Sequence, residues 1–197
     1  MTLVLASTSP WRAEMLRNAG VEIECVPPGV DEDEMKLALR SDGVLPRDQA
    51  DALAEMKARR VSSRVPGVLV LGADQVLDFK GDALDKPQDA AAARETLRRL
   101  RGERHELLSA AVIALDGAPI WRHIGRARLF MRPFSDAFIT EYLASIGEDA
   151  LQTPGAYMLE GLGAQLFSRI DGDYFTILGL PLIETLGFLR VRGILTE

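Results

Sequence analysis

The chain has 197 residues, 47% hydrophobic and 26% charged, the composition of a soluble globular domain of ordinary size with room for two lobes. A net charge of −6 argues against broad, non-specific nucleic-acid binding, which needs a positive surface, so no nucleic-acid polymer is expected as partner. The single cysteine, Cys25, excludes an internal disulfide, and His105 and His123 are too few to suggest a zinc centre.

Met1 leads straight into an apolar run, with no basic segment before a long apolar stretch. No run is long enough to span a bilayer, so no membrane partner and a cytoplasmic location are expected. Leu3-Val4-Leu5-Ala6 reads as a buried strand that stops at Ser7-Thr8-Ser9. Pro10 suits the first turn of a helix, Trp11, Met15, Leu16 and Ala19 recur at helical spacing, and Gly20 is placed to end it. A strand–loop–helix of this kind aims hydroxyls, free N–H groups and a helix N-terminus at one point, as phosphate sites do, and Arg12 adds a fork of donors. A plain surface turn with a Ser cap has the same local pattern.

Residues 21–26 alternate as a short strand running into Pro27-Pro28-Gly29. Asp31 to Glu34 then form an acidic helix start, which is either solvated or turns one or two carboxylates inward to hold a cation. Residues 48–63 form an Ala-rich helix on which Lys57 reads most simply as a snorkelling surface lysine. Val68 to Leu71 reads as a strand covered on both faces, with Asp74 just past its end behind Gly72-Ala73. An acid at such a place, with small residues leaving room for a ligand, is the strongest physical sign of a site in the chain.

Phe79 to Leu84 reads as a hairpin, and Lys86, preceding Pro87, lies in extended backbone. Asp89 caps a helix over 90–101, closed by Gly102. Leu107 to Leu115 is a strand with His105 in the turn before it. Ala127 to Arg132 is a further strand, and a helix follows over 136–146. The glycines and proline around Glu160, from Pro154 to Gly163, suggest a shaped loop near a ligand. Gln165–Ile170 and Tyr174–Leu178 read as a hairpin across Asp171-Gly172-Asp173, and a last helix covers 182–192. Helices alternating with strands, then hairpins, predict an α/β protein on a mixed central sheet flanked by helices.

No Walker loop, Gly-x-Gly-x-x-Gly or Gly-x-Ser-x-Gly elbow is present. What remains is a hydroxyl loop with Arg12, acids at 31–34, Asp74, Lys57 and Lys86. Carboxylates, a divalent cation and basic groups are the parts needed to attack phosphorus with water. A sugar-phosphate or monophosphate hydrolase would use the same parts.

Several blocks then occur in one order: Leu5-Ala6-Ser7-Thr8-Ser9-Pro10-Trp11-Arg12, Val30-Asp31-Glu32, Glu55-Met56-Lys57-Ala58, Gly72-Ala73-Asp74-Gln75-Val76, Lys86-Pro87, Gly155-Ala156-Tyr157, Glu160-Gly161-Leu162-Gly163, Asp171-Gly172-Asp173-Tyr174 and Gly179-Leu180-Pro181-Leu182. Together they resemble the Maf family of nucleoside triphosphate pyrophosphatases along nearly the whole chain, read as one Maf-like domain over 1–197. The resemblance implies a fold shared with the inosine triphosphatase group, two lobes with a cleft, and a homodimer. It implies hydrolysis of a nucleoside triphosphate to monophosphate and pyrophosphate with Mg2+, Mn2+ or Co2+. Asp74 would accept the proton of the attacking water, with Lys57 and Lys86 as further catalytic groups. Glu32 and Asp74 would serve the metal, and Ser7, Ser9, Arg12, Lys57 and Lys86 would face the phosphates.

Three departures from the wider family, Trp11, Gln75 and Glu160, resemble the branch that prefers 7-methyl-GTP over thymidine and uridine triphosphates. A methylated guanine is cationic and suits a Trp face, and Glu160 suits the guanine N1–H and amino group. Trp11 could equally pack its helix on the core. Ala13, Gly155-Ala156-Tyr157 and Asp171-Gly172-Asp173-Tyr174 look more like the general family, which leaves a dTTP/UTP pyrophosphatase open. The family's tie to septum formation leaves a nucleotide-binding regulator open as well.

Overall fold

The computed structural model describes residues 2–196. The elements run β1 (Leu3–Ala6), α1 (Pro10–Asn18), β2 (Ile23–Cys25), α2 (Glu32–Ser41), α3 (Pro46–Ser62), β3 (Val70–Phe79), β4 (Asp82–Leu84), α4 (Ala90–Leu100), β5 (Arg104–Leu115), β6 (Ala118–Met131), α5 (Asp136–Ile146), β7 (Phe167–Asp171), α6 (Tyr174–Ile177) and α7 (Leu182–Val191). The strands form one mixed sheet in the order β2-β1-β3-β5-β6-β7, with β4 paired to β3. The expected α/β class on a mixed central sheet is thus met. The chain divides into two compact units, and β3, β5 and β6 supply residues to both.

The first unit holds residues 1–75, 108–126 and 173–197. Its β1 pairs in parallel with β2 and with β3, Ala6 standing opposite Gly72. Strand alternation explains the uninterrupted apolar run of β1. Leu3 and Leu5 pack into a cluster with Leu16 of α1, Leu71 and Ala73 of β3, Ile113 of β5 and Leu189 of α7. Val4, Ala6 and Val70 pack on the other face with Val61 of α3. Both faces of β1 are therefore covered. α1 begins as its sequence demands: Pro10 sits in the first turn, and Ser9 Oγ accepts from the Arg12 N–H at 3.5 Å.

The second unit holds residues 76–107 and 127–172. β3 and β4 form a hairpin across Lys80 and Gly81, both with positive φ, the geometry that suits strand twist. Asp89 caps α4 at the Ala92 N–H and Ser135 caps α5 at the Phe138 N–H. β6 pairs antiparallel with β7. No described helix is long and apolar enough to cross a membrane.

Four expectations are corrected. Asp74 does not follow a strand: β3 runs on from Val70 to Phe79 and carries Asp74 within it. His105 is no turn residue, because β5 starts at Arg104 and buries it. Its placement two residues before buried Leu107 puts both on one strand face. Residues 174–178 are not the second strand of a hairpin: Asp173 Oδ1 accepts from the Thr176 N–H at 3.0 Å and starts the short α6. β6 begins at Ala118, nine residues before the expected Ala127, after a β5–β6 turn at Asp116 and Gly117 that again has two positive φ values.

Candidate active site

In the loop–helix motif of the first unit, Arg12 directly follows Pro10-Trp11 and reaches across to other elements. From α1 its Nη1 donates to the Ala73 carbonyl at 3.0 Å and its Nε to the Gly179 carbonyl at 2.9 Å. Ser7 is buried, and its Oγ accepts from the Ser9 N–H at 3.1 Å. The guanidinium also lies 3.5 Å from that oxygen. Burial lowers the Arg12 pKa, and the charges of Asp74 and Glu32 work against that shift. Arg12 is thus a cation fixed by two main-chain carbonyls beside two carboxylates.

Lys57 is the largest revision. It is 4% exposed, where a surface lysine was expected. Its Nζ lies 2.7 Å from Asp74 Oδ1 and 2.8 Å from Glu32 Oε2. Leu53, Lys57 and Val61 recur every four residues on the buried face of α3, so the spacing that marks an inner face includes Lys57. β3 alternates to match: Val70, Gly72 and Asp74 share one strand face, and Gly72 lets α3 come close. A Cβ on Gly72 would stand 2.3 Å from the Ala54 carbonyl and 2.5 Å from the Ala58 nitrogen. The absent side chain lets the helix lie against the strand, and Lys57 then meets Asp74 one step along.

The acidic helix start answers both ways. Asp31 caps α2, its Oδ1 accepting from the Glu34 N–H at 3.0 Å. Glu32 turns to Lys57. Partial burial pushes its pKa up, but the charge and hydrogen bond of Lys57, with Lys36 and Arg12, hold it below the usual value.

Ser7, Ser9, Arg12, Glu32, Lys57 and Asp74 therefore belong to one connected set in the first unit. Trp11, in the first turn of α1, is half-buried. Gln75 ends the first unit, and its Nε2 donates to Ser109 Oγ and to the carbonyls of Thr176 and Ile177. Lys86 and Glu160 belong to the second unit, both exposed: Lys86 between β4 and α4, Glu160 in the turn before a 3-10 helix at Leu162–Leu166.

Two carboxylates on one ammonium suit a hard divalent cation that completes its shell with water and phosphate oxygens, as magnesium does. Among the described residues no three His, Cys, Asp or Glu side chains form a metal-holding group. Glu32 and Asp74 fit a cation that arrives with a polyphosphate better than a resident structural ion.

Sequence reasoning missed two supports of the site. Gly179, with φ +105°, aims its carbonyl at Arg12, and the block Gly179-Leu180-Pro181-Leu182 carries no sign of that contact. The contact of Gly72 with Ala54 and Ala58 had a trace in the small residues at i and i+4 of α3.

The sequence is similar to known proteins along nearly its whole length. The sequence matches the family described as Maf-like protein over residues 2–192. It is 55% identical to the nucleoside triphosphate pyrophosphatase of Caulobacter vibrioides over 98% of this chain and 97% of that one. It is 49% identical to the 7-methyl-GTP pyrophosphatase of Mesorhizobium japonicum over 97% and 96% of the two chains. The solved HAM1 protein of Coxiella burnetii is a partial likeness, with a TM-score of 0.41 and 17% identity over 66% of this chain and 73% of that one. The connected set of Arg12, Glu32, Lys57 and Asp74 thus sits in a chain that belongs to the Maf family.

Proposed function

We propose that the chain is a nucleoside triphosphate pyrophosphatase that works with a divalent cation and prefers 7-methyl-GTP. The pyrophosphatase activity rests on family membership along the chain and on the activity named for its relatives. The observation that carries the chemistry is a buried carboxylate, Asp74, held at 2.7 Å by the buried ammonium of Lys57 in the unit that presents Arg12 and the hydroxyl loop. Asp74 takes a proton from water as its oxygen attacks phosphorus, the bond between the α- and β-phosphates breaks, and the nucleoside monophosphate and pyrophosphate leave. Arg12 and Lys57 balance charge on the phosphate oxygens, and Lys86 is assigned the same task from the resemblance. A cation held by Glu32 and Asp74 would supply further charge neutralisation.

The base preference rests on chemistry. By the resemblance, Trp11 would give a ring face to a cationic methylated guanine, and Glu160 an acceptor for the N1–H and amino group. One relative is named for 7-methyl-GTP and another carries the general name, so a preference for dTTP or UTP is the competing reading. The resemblance alone supports a homodimer.

The test is a panel of nucleoside triphosphates, including 7-methyl-GTP, with magnesium, manganese or cobalt and with chelator. Monophosphate and pyrophosphate in equal amounts, only with cation and fastest from 7-methyl-GTP, are expected. Orthophosphate as sole product, or activity on monophosphates, overturns the reaction class. Fastest turnover of dTTP or UTP overturns the base preference.

A further inference from the structure

We infer that His105 is a positioning residue for base choice: through Tyr157 it fixes the turn that carries Glu160. The role rests on Glu160 meeting the base, as proposed above, and does not involve Arg12, Lys57 or Asp74.

Tyr157 is the buried anchor of the loop that leads to Glu160. Its hydroxyl shares a buried hydrogen bond of 2.7 Å with His105 Nε2. Its ring meets Phe167, at the start of β7, edge to face with centroids 4.9 Å apart, and covers Gly155, where a Cβ would collide with it. Apolar contact of this kind keeps the ring buried without fixing its depth or direction. A hydrogen bond is directional, and the far end of this one stands on a buried position of β5. His105 Nδ1 has no partner among the described residues, so without the Tyr157 hydroxyl the buried imidazole would keep two unmet nitrogens.

The backbone before Tyr157 needs that anchor. Ala156 has φ +57°, a left-handed conformation that a residue with a Cβ holds only when its surroundings impose it. Thr153 Oγ1 accepts from the Tyr157 N–H at 3.1 Å and donates to the Tyr157 carbonyl at 2.8 Å. This clasp ties the loop to itself, whereas the His105 bond ties it to the sheet. Directly after Tyr157 the chain turns: the Met158 carbonyl accepts from the Gly161 N–H at 3.3 Å, and Glu160 is the third residue of that turn. Gly163 returns against the Met158 backbone, too close for a Cβ. Glu160 is exposed, so its place is set by Met158, the neighbour of the anchor. Freeing Tyr157 from His105 lets Ala156 relax and tilts the turn. Phosphates are common to all triphosphates and base edges are not, so the loss shows in the ratio between bases.

The test measures kcat and KM on 7-methyl-GTP and UTP for His105→Leu, Tyr157→Phe and His105→Gln, the first also in a Glu160→Gln background. His105→Leu and Tyr157→Phe should each lower the preference for 7-methyl-GTP by about 3- to 10-fold, the worth of one hydrogen bond. The loss should lie in KM, with kcat within about twofold of wild type. The double variant should lose no more than either single one, and His105→Gln, which keeps a partner for Tyr157, should retain the preference. With Glu160→Gln present, His105→Leu should change the ratio little. Amide exchange of Gly161, read by NMR, should speed up in His105→Leu and not in His105→Gln. Tyr157→Phe, one oxygen smaller, serves if His105→Leu does not fold. An unchanged ratio in His105→Leu and Tyr157→Phe while Glu160→Gln shifts it, an equal loss in both Glu160 backgrounds, or unchanged Gly161 exchange overturns the role of His105 and leaves the reading of Glu160 standing. A ratio that Glu160→Gln itself does not move overturns both.

Discussion

Lys57 Nζ lies 2.7 Å from Asp74 Oδ1, with both side chains buried, and this pair joins α3 to β3 at the centre of the candidate site. Glu32 reaches the same ammonium at 2.8 Å with its side chain 37% exposed. The two contacts differ in weight. An ion pair with one exposed partner contributes about 0–1 kcal/mol, whereas removing one member of a buried pair costs about 3–5 kcal/mol. Lys57→Met should therefore destabilise the protein mainly through stranded Asp74. Two carboxylates without their ammonium also invite a cation. Magnesium or manganese should raise the melting temperature of Lys57→Met more than that of the wild type, read by thermal denaturation with and without chelator. Equal shifts would reject Glu32 and Asp74 as the cation's ligands.

Asp74→Asn removes the proposed proton acceptor and keeps the shape. General-base catalysis is worth on the order of 10²–10⁴ in rate, so pyrophosphate release should fall by that factor. The same variant separates an enzyme from a regulator that only binds: with nucleotide affinity retained, a cellular effect that depends on turnover disappears and one that depends on binding stays.

Gly72→Ala tests how the site is built. The added methyl would stand 2.3 Å and 2.5 Å from main-chain atoms of Ala54 and Ala58, which no rotamer change relieves. Overpacking costs about 1–3 kcal/mol, and contact with backbone belongs at or above the top of that range. The helix must also move away from the strand, which parts Lys57 from Asp74. A large fall in urea midpoint, with activity lost beyond what the unfolded fraction explains, is the expected pair of observations.

How far such features were legible depends on whether they are local. The Ser9 cap, Pro10 in the first turn, the Asp89 cap and the Lys80-Gly81 turn are set within a few residues, and each stands where its sequence signature puts it. The fate of Lys57 was not local. Its charge marks a surface and its spacing with Leu53 and Val61 marks an inner face, and only the approach allowed by Gly72 decides between them. Tyr174-Phe175-Thr176-Ile177 has the aromatic and β-branched residues of a strand, yet the Asp173 cap and the ties from Gln75 and Ser109 make it helical. The acids, the hydroxyls and Arg12 could be named from residue type, while the carbonyl anchors of Arg12 belong to residues whose side chains signal nothing.

Trp11 and Glu160 test base preference independently. Trp11→Arg removes the ring face, and Glu160→Gln removes a charged acceptor while keeping the carbonyl. A cation–π contact with a partly desolvated ligand is worth about 0.5–2 kcal/mol, so Trp11→Arg should cut the preference for 7-methyl-GTP over UTP by about 2- to 30-fold. Glu160→Gln should reduce discrimination between 7-methyl-GTP and UTP, because an amide serves the guanine edge less well than a carboxylate. Competition assays with both triphosphates in one tube read the ratio directly. An unchanged ratio in both variants would leave base choice to other residues.

His105 predicts how stability follows pH. It is buried in β5, its Nε2 shares a hydrogen bond of 2.7 Å with the Tyr157 hydroxyl, and its Nδ1 has no partner among the described residues. Burial lowers its pKa from 6.5 to about 3. The native state therefore refuses a proton that the unfolded chain accepts. Above pH 6.5 both states are neutral and the contribution is whole. As pH falls from 6.5 towards 3, stability drops by about 1.4 kcal/mol per pH unit. Glu32, held below its usual value, adds a loss of the same sign only below about pH 4.5, the ordinary range of its carboxyl. Between pH 6 and 5 the slope belongs to His105. His105→Gln keeps a hydrogen-bonding group opposite Tyr157 and cannot titrate, so its urea-unfolding free energy should be nearly flat over that interval while the wild type falls. Parallel curves for the two proteins would mean that a different group sets the acid limit.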